Sequence, residues 1–218
     1  MSIDRATYKD YVLKHLYTAL KENRYRPGDR LTESYIAEEL GISRAPIREA
    51  LAELVSSGLL FHKPQIGTFV ASMSPREIID SYETRGVAEG FAAREAMGFI
   101  DEEILSELER MAELMGQYAV KNMQHRLIDI GRDFHETIYG KCDNIAVVQL
   151  TDNLRLKIGL LFYRHWGEVY SPDEIRSRHL DIVNVLRLQD PNRVEQVIRE
   201  HYIETGRKVA AIYNLNSS

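Results

Sequence analysis

The sequence predicts a mainly α protein: an N-terminal winged helix-turn-helix followed by an all-α antiparallel helical bundle. Three observations carry this. Two helix patterns meet at Gly41, a hairpin pattern follows the second, and from Ser74 onward six helix starts recur with no strand pattern between them. The 218 residues suffice for two modest domains, and a hydrophobic content of 44% suits packed cores. No repeat or low-complexity segment appears.

The first helix is expected from about Tyr8 to Asn23, with Tyr11, Val12, Leu16 and Leu20 as its buried stripe; Pro27-Gly28 ends it. A short helix follows from Glu33 to Leu40, and Gly41 supplies the permissive backbone of a tight turn. Ser43 is placed to cap the next helix through its hydroxyl, and Pro46 sits in the first turn, where a missing N–H costs nothing. From Arg44, the residues Ile47, Leu51 and Leu54, with Ala50 beside them, form an apolar stripe, while Arg44 and Arg48 share the other side. Ser57-Gly58 stops this helix. The apolar run Leu59 to His62, the turn Lys63-Pro64-Gln65-Ile66-Gly67 and the β-prone Thr68-Phe69-Val70 then make a hairpin, the wing.

Arginines at the exposed N-terminal end of such a second helix suit the major groove, where guanidinium can bridge O6 and N7 of guanine. Taken alone, two arginines four apart are an ordinary solvated helix face. The helix-turn-helix and wing around them shift the reading to DNA. Net charge is −5, unevenly spread: residues 1–70 hold 10 Lys and Arg against 9 Asp and Glu, and residues 71–218 hold 18 against 24. Attraction of phosphate then rests on local placement of Arg44, Arg48, Lys63 and Arg30, with strong salt dependence.

The segments PGDRL at Pro27 to Leu31, Glu33, IAEELGISRAPIREAL, LVSSGLL and the Gly67-Thr68-Phe69-Val70 wing resemble the N-terminal domain of GntR-family transcriptional regulators over about the first 70 residues. The resemblance implies DNA contacts from Ser43, Arg44, Ala45, Arg48 and Gly67, with Lys63 and Gln65 as further wing contacts. Ser34 stands where some relatives have a DNA-contacting arginine.

The domain boundary is expected after Ala71-Ser72-Met73, giving 1–73 as a DNA-binding domain and 74–218 as an effector-binding and dimerisation domain. Ser74-Pro75-Arg76-Glu77 is a capping box with proline at the first helical position. Further starts are signalled at Asp101, near Met123, at Asn144, at Ser171 (a second capping box) and at Asp190-Pro191. Breaks are expected at Gly98, around Asn122, at Lys141 to Asp143, at Gly167 to Tyr170 and at Gln189-Asp190.

Three histidines fall on apolar faces of these helices. His179 aligns with Ile175, Ile182, Val183 and Leu186; His201 with Val194, Val197, Ile198 and Thr205; His135 with Ile128 and Ile138. Singly, each is ordinarily a satisfied core residue. Three on separate helices, all able to reach one interior, suit a Zn²⁺ or Ni²⁺ ion with open positions. The other four histidines, His15, His62, His125 and His165, lack that combination or fall near helix ends.

Asp133-Phe134-His135, Asn144, the His179 helix and the closing LQDPNRVEQVIREHY segment resemble the FadR C-terminal (FCD) effector domain, with the six-helix length of the VanR-type subgroup. The resemblance implies a divalent metal on His135, His179 and His201. The aspartate ligand of many relatives does not carry over, because its position is Gly131. Asp129 and Asp133 stand roughly 120° and 160° around the helix from His135, at about 100° per residue, and cannot replace it from the same face. Either the metal persists on three neutral histidines or the site is metal-free. A bound ion lacking one anionic ligand would favour an anionic effector. An organic acid is therefore expected in the bundle, with Arg85 as its partner and Arg155 and Tyr163 as further contacts. Arg85 has a plainer alternative, a solvated pair with Glu89 four residues on.

The expected protein is thus an effector-responsive regulator, a repressor released by a small organic acid, acting as a homodimer on a palindromic operator. An acyl-CoA or the metal ion itself are the alternative signals. The competing enzyme class, a hydrolase using the three histidines, lacks a carboxylate base of identifiable spacing and any HExxH or nucleophile motif. A single cysteine, Cys142, excludes an intrachain disulfide, and no apolar run approaches a membrane span, so a cytoplasmic location is expected.

Overall fold

In the computed structural model the chain divides into two compact units, Met1–Met73 and Ser74–Ser218. The structure describes residues 5–22 and 24–215, and the side chains of all of these except 5–7, 156–157, 160–166 and 214–215.

The first unit opens with α1 (Arg5–Lys21), then β1 (Arg30–Leu31), α2 (Glu33–Leu40), α3 (Arg44–Ser56), β2 (Leu60–Lys63) and β3 (Gly67–Val70). Helix α1 begins before the expected Tyr8, and the expected end, Asn23, lies outside the described residues. Its buried stripe is Val12, Leu13, Leu16, Ala19 and Leu20. Tyr11, expected in that stripe, is 53% exposed, because one step from Val12 turns it about 100° away from the core. Thr32 caps α2 by accepting from the Tyr35 amide, and Gly41 closes it in the left-handed region at φ 65°.

Helix α3 starts at Arg44 as its sequence dictates, but Ser43 makes no side-chain capping bond. Its hydroxyl lies at an exposed position, and the residue three on, Pro46, has no N–H to offer it. Pro46, Ile47, Ala50, Leu51 and Leu54 are buried and seat the helix. Gly58, at φ 73°, turns the chain into the wing.

The two wing strands pair antiparallel, with Lys63 opposite Gly67 and Leu60 opposite Val70. Strand β1 was not foreseen: it pairs with the other edge of β3, Arg30 opposite Phe69, in a sheet of order β1-β3-β2. Two residues are too few to carry a period, and only the partner strand makes them a strand.

The second unit comprises α4 (Pro75–Ala96), a 3₁₀ turn at Met97–Phe99, α5 (Glu102–Val120), α6 (Gln124–Tyr139), α7 (Ile145–Val169), α8 (Pro172–Arg187) and α9 (Pro191–Leu215). Both capping boxes form, at Ser74 with Glu77 and at Ser171 with Glu174. Helix α7 ends at Val169, within the break expected at Gly167 to Tyr170.

Helices α4 and α9 run antiparallel and very close. A Cβ at Gly86 would meet the Arg199 carbonyl at 2.9 Å, one at Gly90 the Glu195 carbonyl at 2.7 Å, and one at Gly206 the Cβ of Tyr82 at 2.5 Å. Three glycines thus let the two helices approach nearly backbone to backbone. Helices α5 and α8 are also antiparallel, laced by Arg176–Glu113 and Arg187–Glu109 pairs. This packing brings α4, α6, α8 and α9 around one interior.

Candidate functional site

In the first unit, Ser43, Arg44, Ala45 and Arg48 are all exposed on one end of α3, and Lys63 and Gln65 are exposed on the wing. Arg44 makes no ion pair among the described residues. Arg48 does: its Nε and Nη2 donate to the two carboxylate oxygens of Glu33 on α2, at 3.0 and 2.9 Å. Those hydrogen bonds hold the Glu33 carboxyl below the ordinary range. Phe61 and Phe69 stack at 5.5 Å between centroids, and Lys63 Nζ lies 5.4 and 5.6 Å from the two rings. Gly67 has φ 142°, and a Cβ there would meet Arg30 Nε at 2.6 Å, so the glycine makes room for that guanidinium beside the wing.

In the second unit His135 on α6, His179 on α8 and His201 on α9 come together. Their ring centroids are 5.0 to 5.5 Å apart, and one ligand atom from each lies within 4.8 Å of the others. His135 is buried and the other two are half-buried. The Nδ1–H of His179 donates to the Ile175 carbonyl at 2.6 Å, which leaves Nε2 as the bearer of the lone pair. Removal from water, reinforced by the neighbouring His135, pushes His179 down to about 3, and burial lowers His201 likewise. Both rings are therefore neutral, the form that ligates metal.

Behind this cluster sits Glu89 of α4, 1% exposed. Its Oε1 accepts the Tyr202 hydroxyl at 2.9 Å and lies 2.6 Å from His135 Nδ1, a charge contact rather than a hydrogen bond. Its Oε2 accepts from Arg85 Nε at 3.1 Å, and the Arg85 guanidinium lies 4.5 Å over the Tyr202 ring. Burial opposes ionisation of Glu89, but Arg85, His135 and the Tyr202 hydroxyl together hold its carboxyl at about 2. The Arg85–Glu89 pair exists as spacing suggested, yet it is buried rather than solvated. A pair at that spacing reads alike in sequence whether wet or dry.

The cluster opens on a cavity of about 140 Å³. By the measure that gives one water about 10–15 Å³, this holds on the order of ten waters or one small metabolite. Arg85, Arg132, Arg155 and Arg178 line it with the three histidines, and no Asp or Glu stands among the described lining residues. Arg132 is paired with Asp129 and Asp133, and Arg178 with Glu204 and the His201 carbonyl. Among the described residues Arg155 has one ion-pair contact, 3.5 Å to Asp152, and its buried Nε finds no partner there. Arg132 and Arg178 were not singled out from sequence: each lies one residue from a notable position, Gly131 or His179, and adjacency along a helix says little about a shared wall. The side chain of Tyr163 lies outside the described residues.

Gly131 also lines the cavity, and among the described residues a Cβ there would meet only Met115 Sδ, at 3.9 Å. Asp129 and Asp133 are exposed and absent from the wall. The donor set fits a divalent ion: three imidazoles, two of them held neutral, close enough to share an ion at Zn–N distances of about 2.0–2.1 Å after small side-chain rotations.

The model of the FCD domain matches residues 80–204, and that of the bacterial regulatory proteins of the gntR family matches residues 9–70. The chain belongs to the GntR family, with an FCD domain. It is a DNA-binding transcriptional regulator, not an enzyme. The HTH-type transcriptional repressor RspR of Escherichia coli (strain K12) is 26% identical over 191 residues, covering 88% of this chain and 84% of that protein. The HTH-type transcriptional regulator McbR of the same strain is 29% identical over 175 residues, covering 80% and 76%. The solved structure of E. coli McbR/YncC shares the fold at TM-score 0.76 and 23% identity, over 99% of this chain and all of that one. For this GntR-family regulator no helix among the described residues is long and apolar enough to cross a membrane.

Proposed function

We propose that this regulator is a homodimeric, effector-responsive repressor of the VanR-type FCD subgroup, acting in the cytoplasm. In this reading, residues 1–73 bind DNA, with Ser43, Arg44, Ala45, Arg48, Lys63, Gln65 and Gly67 meeting one half-site of a palindromic operator. Residues 74–218 dimerise and bind a small organic anion, whose occupancy weakens operator binding by a coupling of about 5–150-fold. His135, His179 and His201 would hold a Zn²⁺ or Ni²⁺ ion, which when bound supplies positive charge at the cavity wall.

The observation that carries the effector reading is the cavity wall of four arginines and three histidines without a described carboxylate. Arg85, Arg132 and Arg178 are each held by an acid outside the wall, which fixes their positions and offsets part of their charge. Among the described residues Arg155, with one 3.5 Å contact, leaves more of its donors to a ligand carboxylate than Arg85, Arg132 or Arg178. Arg85 already gives Nε to Glu89 and stacks on Tyr202, so its role is to complete the wall.

The test is a thermal-shift screen of organic acids with and without Zn²⁺, followed by operator titration with each hit. An acid that raises the melting temperature and weakens operator binding supports the reading; stabilising acids that leave operator affinity unchanged would overturn it. A second reading, with the metal as signal, is favoured by the tautomer that Ile175 imposes on His179, which prepares the ring for an ion before any effector arrives. Zn²⁺ alone altering operator affinity would distinguish it.

A further inference from the structure

We propose that Glu33 is a positioning residue that sets sequence specificity: it clamps Arg48 side-on, so that the guanidinium presents only its Nη1/Nη2 edge to a base. The inference rests on the reading of the α3 end as the groove-facing surface. Both oxygens of Glu33 are used, one on Nε and one on Nη2 of Arg48. Those two groups form one of the two forked edges of a guanidinium. The other edge, Nη1 with the remaining Nη2 hydrogen, stays open on a side chain that is 70% exposed. That edge can still grip guanine through O6 and N7.

The pair adds modestly to stability: its bidentate geometry and the half-buried Glu33 raise it above an ordinary surface pair, while solvent around Arg48 and the ordering of two long side chains oppose it. Glu33, half-buried at the start of α2, also sits where a carboxylate disfavours DNA, hydrogen-bonded to Arg48 and within the electrostatic reach of Arg44. An anion there weakens every placement on a phosphate backbone. It helps only where Arg48 can stay clamped and meet a base end-on, and it hinders any placement in which Arg48 must let go to reach a phosphate. Glu33 is itself fixed, as the first residue of a helix whose N-terminus favours a negative charge and whose cap, Thr32, is formed. Arg44 has no such clamp and is free to follow the backbone.

Division of labour follows: Arg48 with Glu33 reads sequence, and Arg44 supplies sequence-independent attraction. The probes are a duplex selected by the wild-type protein from a random-sequence pool and a scrambled duplex of equal length, measured by fluorescence anisotropy over a range of salt. In Glu33→Gln the scrambled duplex is expected to bind several-fold more tightly, and discrimination between the two duplexes to fall about tenfold, with the melting temperature almost unchanged. In Arg44→Ala discrimination is expected to persist, while the slope of log K against log salt falls by about 0.9. Equal weakening of both duplexes in Glu33→Gln, or unchanged discrimination, would overturn the proposal while leaving the α3 surface as the reading head. Wild-type-like selection by an Arg44→Ala/Arg48→Ala protein would overturn that surface as well.

Discussion

Glu89 and His135 face each other across α4 and α6 with 2.6 Å between carboxylate oxygen and Nδ1. The contact joins the buried Arg85–Glu89 pair to the histidine cluster, so one charge serves both the core and the ligand cavity.

Glu89→Gln should therefore act twice. It leaves the Arg85 guanidinium buried without its counter-charge, a loss of about 3–5 kcal/mol when one member of a buried pair is removed. It also withdraws the negative charge 2.6 Å from a ligating ring, which should weaken Zn²⁺ binding. Chemical denaturation measures the first and calorimetric Zn²⁺ titration the second. Replacing both partners, Arg85→Met with Glu89→Leu, should restore most of the stability and none of the metal affinity.

Gly131→Asp should tighten Zn²⁺ binding by at least about tenfold, because the position lines the cavity, a Cβ there has room, and an anionic ligand adds to three neutral ones. Competition with a chromophoric chelator reads the change. An unaltered constant would mean that the 131 position does not reach the ion.

His179→Ala should abolish the stabilisation that Zn²⁺ gives the wild-type protein, which at about 100 times the dissociation constant amounts to ~2.7 kcal/mol. Differential scanning calorimetry before and after chelator treatment checks this. Stabilisation that survives in the variant would place the ion elsewhere.

Gly206→Ala should destabilise the helical unit by about 1–3 kcal/mol, the usual range for forcing a methyl into a packed site. The added carbon would lie 2.5 Å from Tyr82 Cβ, a contact that neither helix can relieve by rotating a side chain. Gly131→Ala, with only a sulfur at 3.9 Å, is the matched control and should be nearly neutral.

What could be read ahead of the structure divides along a physical line. The starts of α4 and α8 were legible because a capping box is complete within four residues, and its bonds form as the spacing requires. The cap at Ser43 has the same residue type, but the residue three on is Pro46, which has no N–H to donate, and there the hydroxyl bond is absent. Strand β1 depends on β3, some 37 residues away, and leaves no local trace. The histidines could be gathered because each lies on an apolar stripe of a separate helix. Glu89, Arg132 and Arg178 could not, since their importance comes from which neighbours close around them. The fold class followed from periodicity; the electrostatics of the cavity follow from burial, which no single helix encodes.

The most direct test of the central claim, that the exposed end of α3 is the DNA-reading surface, is the operator affinity of the Arg44→Ala/Arg48→Ala protein. It should fall at least about 100-fold, consistent with the loss of base and phosphate contacts together, while folding and Zn²⁺ binding in the helical unit stay intact. Undiminished operator occupancy by a folded double variant would contradict the account.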